Sequence, residues 1–246
     1  MKAAAIIPAR YASTRFPGKP LVQIAGKPLV QWVYERVSKA KNINRIIVAT
    51  DDQRIFRAVR SWGGEVVMTS SRHQTGSDRI AEVAKKLKEE IIVNVQGDEP
   101  LIRPKLIDSL VDALKKNKTT PVVTTCCAIE SKEELSSPNV VKVIFDLHGR
   151  ALYFSRYCLP FVRDTNMDAV VHYKHMGIYA YQRDFLLKYI KLKPTRLESL
   201  EKLEQLRILE HGYSIQIVMT KFDSIGVDTP EDIARVEKLL QNGVKY

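Results

Sequence analysis

The sequence predicts an α/β fold: a Rossmann-like, mostly parallel sheet with helices on both faces, joined to a smaller mixed-sheet part. Three observations predict it. Apolar runs of strand length, at residues 3–7, 45–50 and 90–96, alternate with segments whose apolar residues recur at helical spacing. The runs are near-continuous rather than alternating, which marks strands buried on both faces, as in parallel sheets with crossover helices. After about residue 120 the strands follow one another more closely, with a hairpin signal among them. The chain has 246 residues, 45% of them hydrophobic, enough for one large domain with a full core. No repeat, low-complexity segment or linker divides it, so residues 1–246 read as a single domain with two halves meeting near residue 120.

The elements follow in order. "AAAIIPA" from Ala3 is a strand. Pro28 opens a helix with Leu29, Val30, Val33, Tyr34 and Val37 on one face. "RIIVAT" from Arg45 is a strand, and "DDQRIFRAVRSWG" from Asp51 a helix stopped by Gly63 and Gly64. "EVVMT" is a strand, followed by a polar loop and a helix from Asp78 to Lys88. "EIIVNVQ" from Glu90 is another buried strand, and Pro104 opens a helix to Lys116. Beyond Thr120, "PVVTTCCAI", "NVVKVIFD", "ALYFS" and "HMGIYAY" are strands, with His148-Gly149 as a hairpin turn. "LESLEKLEQLRILEHG" from Leu197 predicts one amphipathic helix ended by Gly212. "SIQIVMT" is a strand, and "TPEDIARVEKLLQNG" a last helix with Thr229 as cap before Pro230.

Composition narrows the function. The net charge of +11 suits an anionic partner. The charges are dispersed, without the polybasic tail or basic-aromatic repeat of a nucleic-acid binder, so a charged metabolite is expected rather than nucleic acid. No apolar run approaches the roughly 18 residues of a membrane span, and no cleavage site follows the first strand, so neither membrane insertion nor a leader is expected. Cys126, Cys127 and Cys158 show neither a disulfide framework nor metal spacing. They read as buried thiols in a reducing compartment, the cytoplasm.

Three segments carry chemistry. "PARYASTRFPGKP", residues 8–20, sets Arg10, Arg15 and Lys19 at the carboxyl end of the first strand, where parallel sheets bind ligands. It is neither GxxxxGK[ST] nor GxGxxG, so ATPase and nicotinamide chemistry are not indicated. Small Ala9, Ala12 and Ser13 let backbone N–H groups approach a polyphosphate; solvated cations are the other reading. "NVQGDEP" ends a buried strand at Gly97-Asp98, where a carboxylate can hold Mg²⁺ shared with phosphate oxygens, or simply close a turn. In "SIGVDTPED", Asp228 is either a second carboxylate for that ion or a cap of the last helix.

Together these segments resemble the sugar nucleotidyltransferases, and within them the Kdo (3-deoxy-D-manno-octulosonate) cytidylyltransferase family. The matching runs are "IIPARYASTRFPGKPL", "RIIVATDD", "HQTGSDRIAEV", "VNVQGDEPLI", "ALYFSR", "HMGIYAY", "LEQLRIL" and "GVDTPEDI", from Ile6 to Ile233. The related sialic-acid activating enzymes have Ser-Lys where this chain has Ser13-Thr14-Arg15. The resemblance implies a nucleotide-diphospho-sugar transferase fold, with a nucleotide-binding half (1–120) and a half for sugar binding and dimerisation (121–246). It implies the reaction CTP + Kdo → CMP-Kdo + diphosphate, for lipopolysaccharide biosynthesis, with Mg²⁺ as cofactor and a homodimer as assembly. Catalysis then falls to Arg10, Arg15, Lys19 and Asp98. Pro8, Ala9, Arg10, Arg15, Lys19, Gln74, Ser77, Arg79 and Gln96 would bind nucleotide. Gln96, Arg156, His175, Tyr179, Glu204 and Gln205 would bind sugar, Arg156 through the sugar's carboxylate. Asp98 and Asp228 would hold the metal.

Other functions fit the same residues less well. Another sugar or sugar-phosphate nucleotidyltransferase would use a different base. A non-catalytic nucleic-acid binder leaves Asp98 and Asp228 at strand ends without a purpose, and a degenerate nucleotide-binding regulator does not need Lys19 and both carboxylates intact.

Overall fold

The structure, a computed structural model, describes residues 1–12, 16–163, 170–223 and 225–241. Its strands are β1 (Ala3–Ala9), β2 (Gln23–Ile24), β3 (Lys27–Pro28), β4 (Arg45–Thr50), β5 (Val66–Met68), β6 (Ile91–Asn94), β7 (Val122–Ala128), β8 (Lys142–Phe145), β9 (Ala151–Ser155), β10 (Tyr173–Gln182) and β11 (Ile215–Met219). The α-helices are α1 (Leu29–Val37), α2 (Gln53–Ser61), α3 (Gly76–Ala84), α4 (Pro104–Lys116), α5 (Lys132–Ser136), α6 (Arg183–Tyr189), α7 (Arg196–Glu201), α8 (Gln205–Glu210) and α9 (Pro230–Gln241).

Among the described residues the main sheet has the order β11-β7-β10-β6-β1-β4-β5, with β8 paired to β10 and β9 to β8. β1 runs parallel to both β4 and β6, and β4 parallel to β5. The chain builds outward from β1 through β4 to β5, then returns to place β6 on the other side of β1. Strand order therefore reverses between β1 and β6, and a crevice opens at their carboxyl ends, the place where such sheets bind ligands.

β10 joins the two halves of the sequence. It lies antiparallel between β6 and β7, so strands from both halves of the sequence form one sheet. Its register shifts between Met176 and Tyr179, a bulge of the kind that re-aims side chains beside a site.

Each face of the sheet carries its own core. On one, Val33 and Val37 of α1, Ile55 and Val59 of α2, and Ile107 and Leu110 of α4 pack on Ala5, Ile7 and Val93. On the other, Ile80 of α3, Leu186 of α6 and Leu206 of α8 pack on Ile6, Ile92 and Ile215. Each fully buried Ile, Leu or Val contributes about 1.5–3 kcal/mol. A third, smaller cluster of Ile24, Leu29, Leu101, Val227 and Val236 fastens α9 against the β2–β3 ribbon.

α3 and the α7–α8 segment differ from expectation, and α5 and α6 are helices that the sequence reading does not include. α3 begins at Gly76 because Thr75 and Asp78 form a capping box. The apolar pattern from Leu197 does not make one helix: Lys202 adopts φ 54°, ψ 46° and ends α7, and α8 begins at Gln205. A left-handed residue inside an otherwise continuous amphipathic pattern leaves no periodicity signal. Cys126 and Cys127 are buried, whereas Cys158 is half-buried. Burial pushes the Cys126 thiol up to about 12 and Cys127 to about 11, so neither is a thiolate at neutral pH. No described helix is long and apolar enough to cross a membrane.

Candidate active site

The crevice between β1 and β6 is held by a backbone contact. A Cβ on Gly97 would lie 2.8 Å from the Pro8 carbonyl oxygen, so only glycine lets the two strand ends come this close. The cavity above them, about 390 Å³, is lined by Pro8, Ala9, Arg10, Lys19, Gln96 and Asp98, among others. Gly76, the first residue of α3, also lines it. The amino end of a nine-residue helix thus faces the cavity, with N–H groups and a positive dipole end suited to an anion.

Arg10 is oriented by main chain. Its guanidinium donates to the carbonyl oxygens of His73 (2.7 Å), Thr75 (2.9 Å) and Gln74 (3.1 Å). The loop offering these carbonyls is fastened in turn by Glu82, which accepts from Ser70 N at 2.9 Å and pairs with His73 Nε2. Burial, then the neighbouring Arg79, draw the Arg10 guanidinium below its ordinary value; arginine stays charged regardless. Extra positive charge here favours an anionic ligand.

Lys19 follows Gly18, whose φ of 74° begins a short 3₁₀ turn. Its ammonium donates to Asp98 Oδ2 (2.6 Å) and Asp228 Oδ1 (3.1 Å). Burial alone would lower the Lys19 ammonium, but the two carboxylates together outweigh it and raise it. Two acidic groups separated by 130 positions therefore converge on one positive atom. The Asp228 loop is seated by Val227 N donating to the Asp98 carbonyl (2.8 Å) and by Lys174 pairing with Asp223 (2.7 Å). Asp232, the third residue of α9, accepts from the backbone N–H groups of Asp228 and Thr229, both at 2.8 Å, and so fastens the start of that helix to the Asp228 loop.

A second cavity, about 300 Å³, adjoins the first through shared Gly76 and Gln96. Ser77, His175, Tyr179, Glu204 and Gln205 line it. Gln96 Nε2 donates to the Gly177 carbonyl (3.1 Å) in the bulge of β10. Burial lowers His175 to about 3, so the ring is neutral at working pH. His175 Nε2 shares a hydrogen bond with Thr124 Oγ1 at 2.9 Å, and the same hydroxyl lies 2.8 Å from the Ile178 carbonyl and 3.2 Å from that of Met176. Ser77 donates to Glu204 Oε2 at 2.9 Å. Burial raises Glu204 above the usual carboxylate range, against the opposing Ser77 bond.

The cytidylyltransferase family model matches residues 4–219. A 3-deoxy-manno-octulosonate cytidylyltransferase of Geobacter sulfurreducens is 54% identical over 97% of this chain and 100% of its own length. The chain belongs to the 3-deoxy-manno-octulosonate cytidylyltransferase family. The family member of Geobacter metallireducens is likewise 54% identical, over 97% of this chain and 98% of its own. A CMP:2-keto-3-deoxy-manno-octonic acid synthetase, solved in complex with CTP, superposes with a TM-score of 0.94 at 41% identity and covers 99% of this chain and 100% of its own.

Of the residues the family resemblance points to, the structure brings Pro8, Ala9, Arg10, Lys19, Gln96 and Asp98 to the first cavity and Ser77, Gln96, His175, Tyr179, Glu204 and Gln205 to the second. Arg15 lies outside the described residues. Ser77 lines the second cavity, and its hydroxyl donates to Glu204 there. Gln74 exposes its side chain and donates only to the Arg72 carbonyl (3.3 Å); its own carbonyl holds Arg10.

Two arginines are placed otherwise. Arg79 is 0% exposed and lies beneath the loop, donating to Thr69 and to Asp51 (2.7 Å). Arg156 lines neither cavity: its Nε and Nη1 donate to the carbonyls of Glu201 and Pro138, both at 2.8 Å. In each case a guanidinium satisfies groups that folding would otherwise leave unpaired. Arg79→Met strands Asp51 and is expected to cost about 3 kcal/mol of stability, measured by urea unfolding.

Sequence reasoning missed Asn94. It ends β6, lines the second cavity and is only 4% exposed. Within "IIVNVQ" it reads as one polar residue in a buried strand, and nothing in the sequence marks its amide as unpaired.

Proposed function

We propose that the protein transfers the cytidylyl group of CTP to Kdo, releasing diphosphate and forming CMP-Kdo for lipopolysaccharide assembly in the cytoplasm. The observation that carries this is the pair of cavities meeting at Gln96 and Gly76, with Arg10, Lys19 and Asp98 in one and hydrogen-bonding side chains such as Asn94, His175, Tyr179 and Gln205 in the other. A nucleoside triphosphate and a polyhydroxylated acid lying in them would meet where the cavities join. Kinship to the family supports both substrates.

The anomeric oxygen of the sugar attacks the α-phosphorus and diphosphate leaves in line. Such a transfer needs positioning and charge stabilisation above all. Arg10, Lys19 and the amino end of α3 draw the triphosphate into place and take up the charge that grows on the leaving group. Gln96 sits at the junction and orients the reacting ends. His175, Tyr179, Glu204 and Gln205 bind hydroxyls. Asp98 and Asp228 fit a divalent cation: both carboxylates already close on a positive charge, the Lys19 ammonium, and Mg²⁺ takes one or two carboxylates together with phosphate oxygens. When bound, the ion would neutralise phosphoryl charge and act as a Lewis acid.

Diphosphate release tests the reading. It is expected with CTP plus Kdo, and neither from CTP alone nor from UTP or dTTP plus Kdo. Equal release with another nucleotide would replace the assigned base.

We further propose a homodimer through the β8–β9 hairpin and the segment after it, where Leu147, Leu152, Tyr157 and Phe161 are exposed. Exposed apolar side chains of this size within one stretch of chain suit an interaction site. Light scattering after size exclusion is expected to give twice the chain mass for the wild type and the chain mass for Leu152→Asp. A monomeric wild type would reject the proposal.

A further inference from the structure

Asn94 holds an unusual position in the second cavity. It is the last residue of β6, opposite Ile6 of β1 and Tyr179 of β10, and it shares its face of the sheet with the apolar Ile92 and Ile6. It is 4% exposed and lines the cavity. Its Oδ1 is buried without a hydrogen-bond partner, and its Nδ2 makes no hydrogen bond to any described residue. A side-chain amide carries two acceptor sites and two donors, all expected to be paired when buried. Leaving such a group unpaired costs roughly 1–3 kcal/mol, and a Val or Leu would fill this strand position without that cost.

We infer that Asn94 is a specificity-determining residue whose amide pairs with one hydroxyl of the sugar substrate. This rests on the reading that the second cavity takes a sugar. A hydroxyl matches the group because it both donates and accepts, and the amide offers an acceptor and a donor side by side. The position also selects which part of the sugar is met. Gln96, two residues further along, stands where the cavities join. A two-residue step along an extended chain is about 6.6 Å, so Asn94 meets the sugar away from its reacting oxygen. The neighbouring walls carry Glu204, Gln205 and Tyr179. Among them, Asn94 is a deep polar group that the fold itself does not use. A site built to pair a substrate hydroxyl rejects an analogue without it strongly, because its own buried group is then left unpaired.

The test uses Asn94→Val, with Asn94→Ser as a second variant should the β-branched residue disturb the strand. Diphosphate release is measured with CTP and Kdo varied in turn, and urea unfolding on the same preparations. Both variants are expected to raise KM for Kdo roughly 10- to 100-fold and leave KM for CTP within about twofold. The unfolding midpoint of Asn94→Val should stay level or rise, since an unpaired amide is removed. A series of monodeoxy Kdo analogues completes a double-mutant cycle: one of them should lose as much with the wild type as Kdo loses with Asn94→Val, and lose nothing further with the variant. Unchanged KM for Kdo, or a lowered midpoint with both KM values shifted together, would overturn the inference. Failure of the underlying reading looks different: the wild type itself would release no diphosphate from CTP and Kdo.

Discussion

Asp98→Asn is expected to lower turnover of CTP and Kdo by roughly 10²–10³-fold or more, at every Mg²⁺ concentration, in a protein that still folds. The substitution is isosteric and removes one charge. Asp98 Oδ2 is the shorter of the two contacts to the Lys19 ammonium, at 2.6 Å against 3.1 Å for Asp228. With an amide there, Asp228 alone is left to grip a cation, and Lys19 loses the partner that aims it along the cavity wall. Folding should survive because the Asp98 side chain is about one-third exposed, and ion pairs of that kind contribute about 1 kcal/mol or less. Kinetics across a Mg²⁺ titration, with a thermal melt of each protein, check both parts. Near-normal turnover at saturating Mg²⁺ would remove the metal role from Asp98.

Gly97→Ala should damage stability and activity together. Its new Cβ would sit 2.8 Å from the Pro8 carbonyl oxygen. That neighbour is backbone in the middle of a crevice, so it cannot swing aside as a side chain would. The ends of β1 and β6 must part by several tenths of an ångström. Overpacking of this kind costs roughly 1–3 kcal/mol. Pro8 and Asp98 flank the contact, so the loop after β1 and the Asp98 carboxylate move apart as well, and misplacement by about 1 Å can cost 100-fold in rate. Gly226→Ala is the control, because its Cβ would meet the Asp98 carbonyl oxygen at 3.9 Å, an ordinary contact. Urea unfolding should separate the two variants clearly; equal midpoints would contradict the close approach at Gly97.

Much of this was legible in the sequence because the signals were local. β1, α1, α4 and α9 have apolar periodicity and, for the helices, a proline at or just before the first turn. The β8–β9 hairpin turns at Gly149, with φ 75°, as His148-Gly149 suggested. The neighbourhood of the basic loop and "QGDEP" followed from the rule that ligands lie where strand order reverses. What escaped was set at long range. The antiparallel seat of β10 depends on pairing with strands about 50 and 85 positions away, on which its own residues are silent. The break at Lys202 interrupts a pattern that reads as continuous, yet it is what starts α8 anew at Gln205, beside the second cavity. Arg79 and Arg156 have the right chemistry for anionic ligands, but the sequence does not show that Asp51 and the carbonyls of Glu201 and Pro138, respectively, engage them. Asn94 shows the converse: its residue type is unremarkable, and only the absence of a partner for its amide gives it meaning.

β10 has a mechanical consequence. It carries His175 and Tyr179 to the second cavity and is laced by its main chain to β6, the strand that leads into Gln96 and Asp98. The linings of the two cavities therefore meet on one hydrogen-bonded plate, not on separate lobes on a joint. Their spacing is built into the sheet. Any tightening around them falls to the loops along the plate's rim, which can rearrange without breaking a single rung of the central ladder.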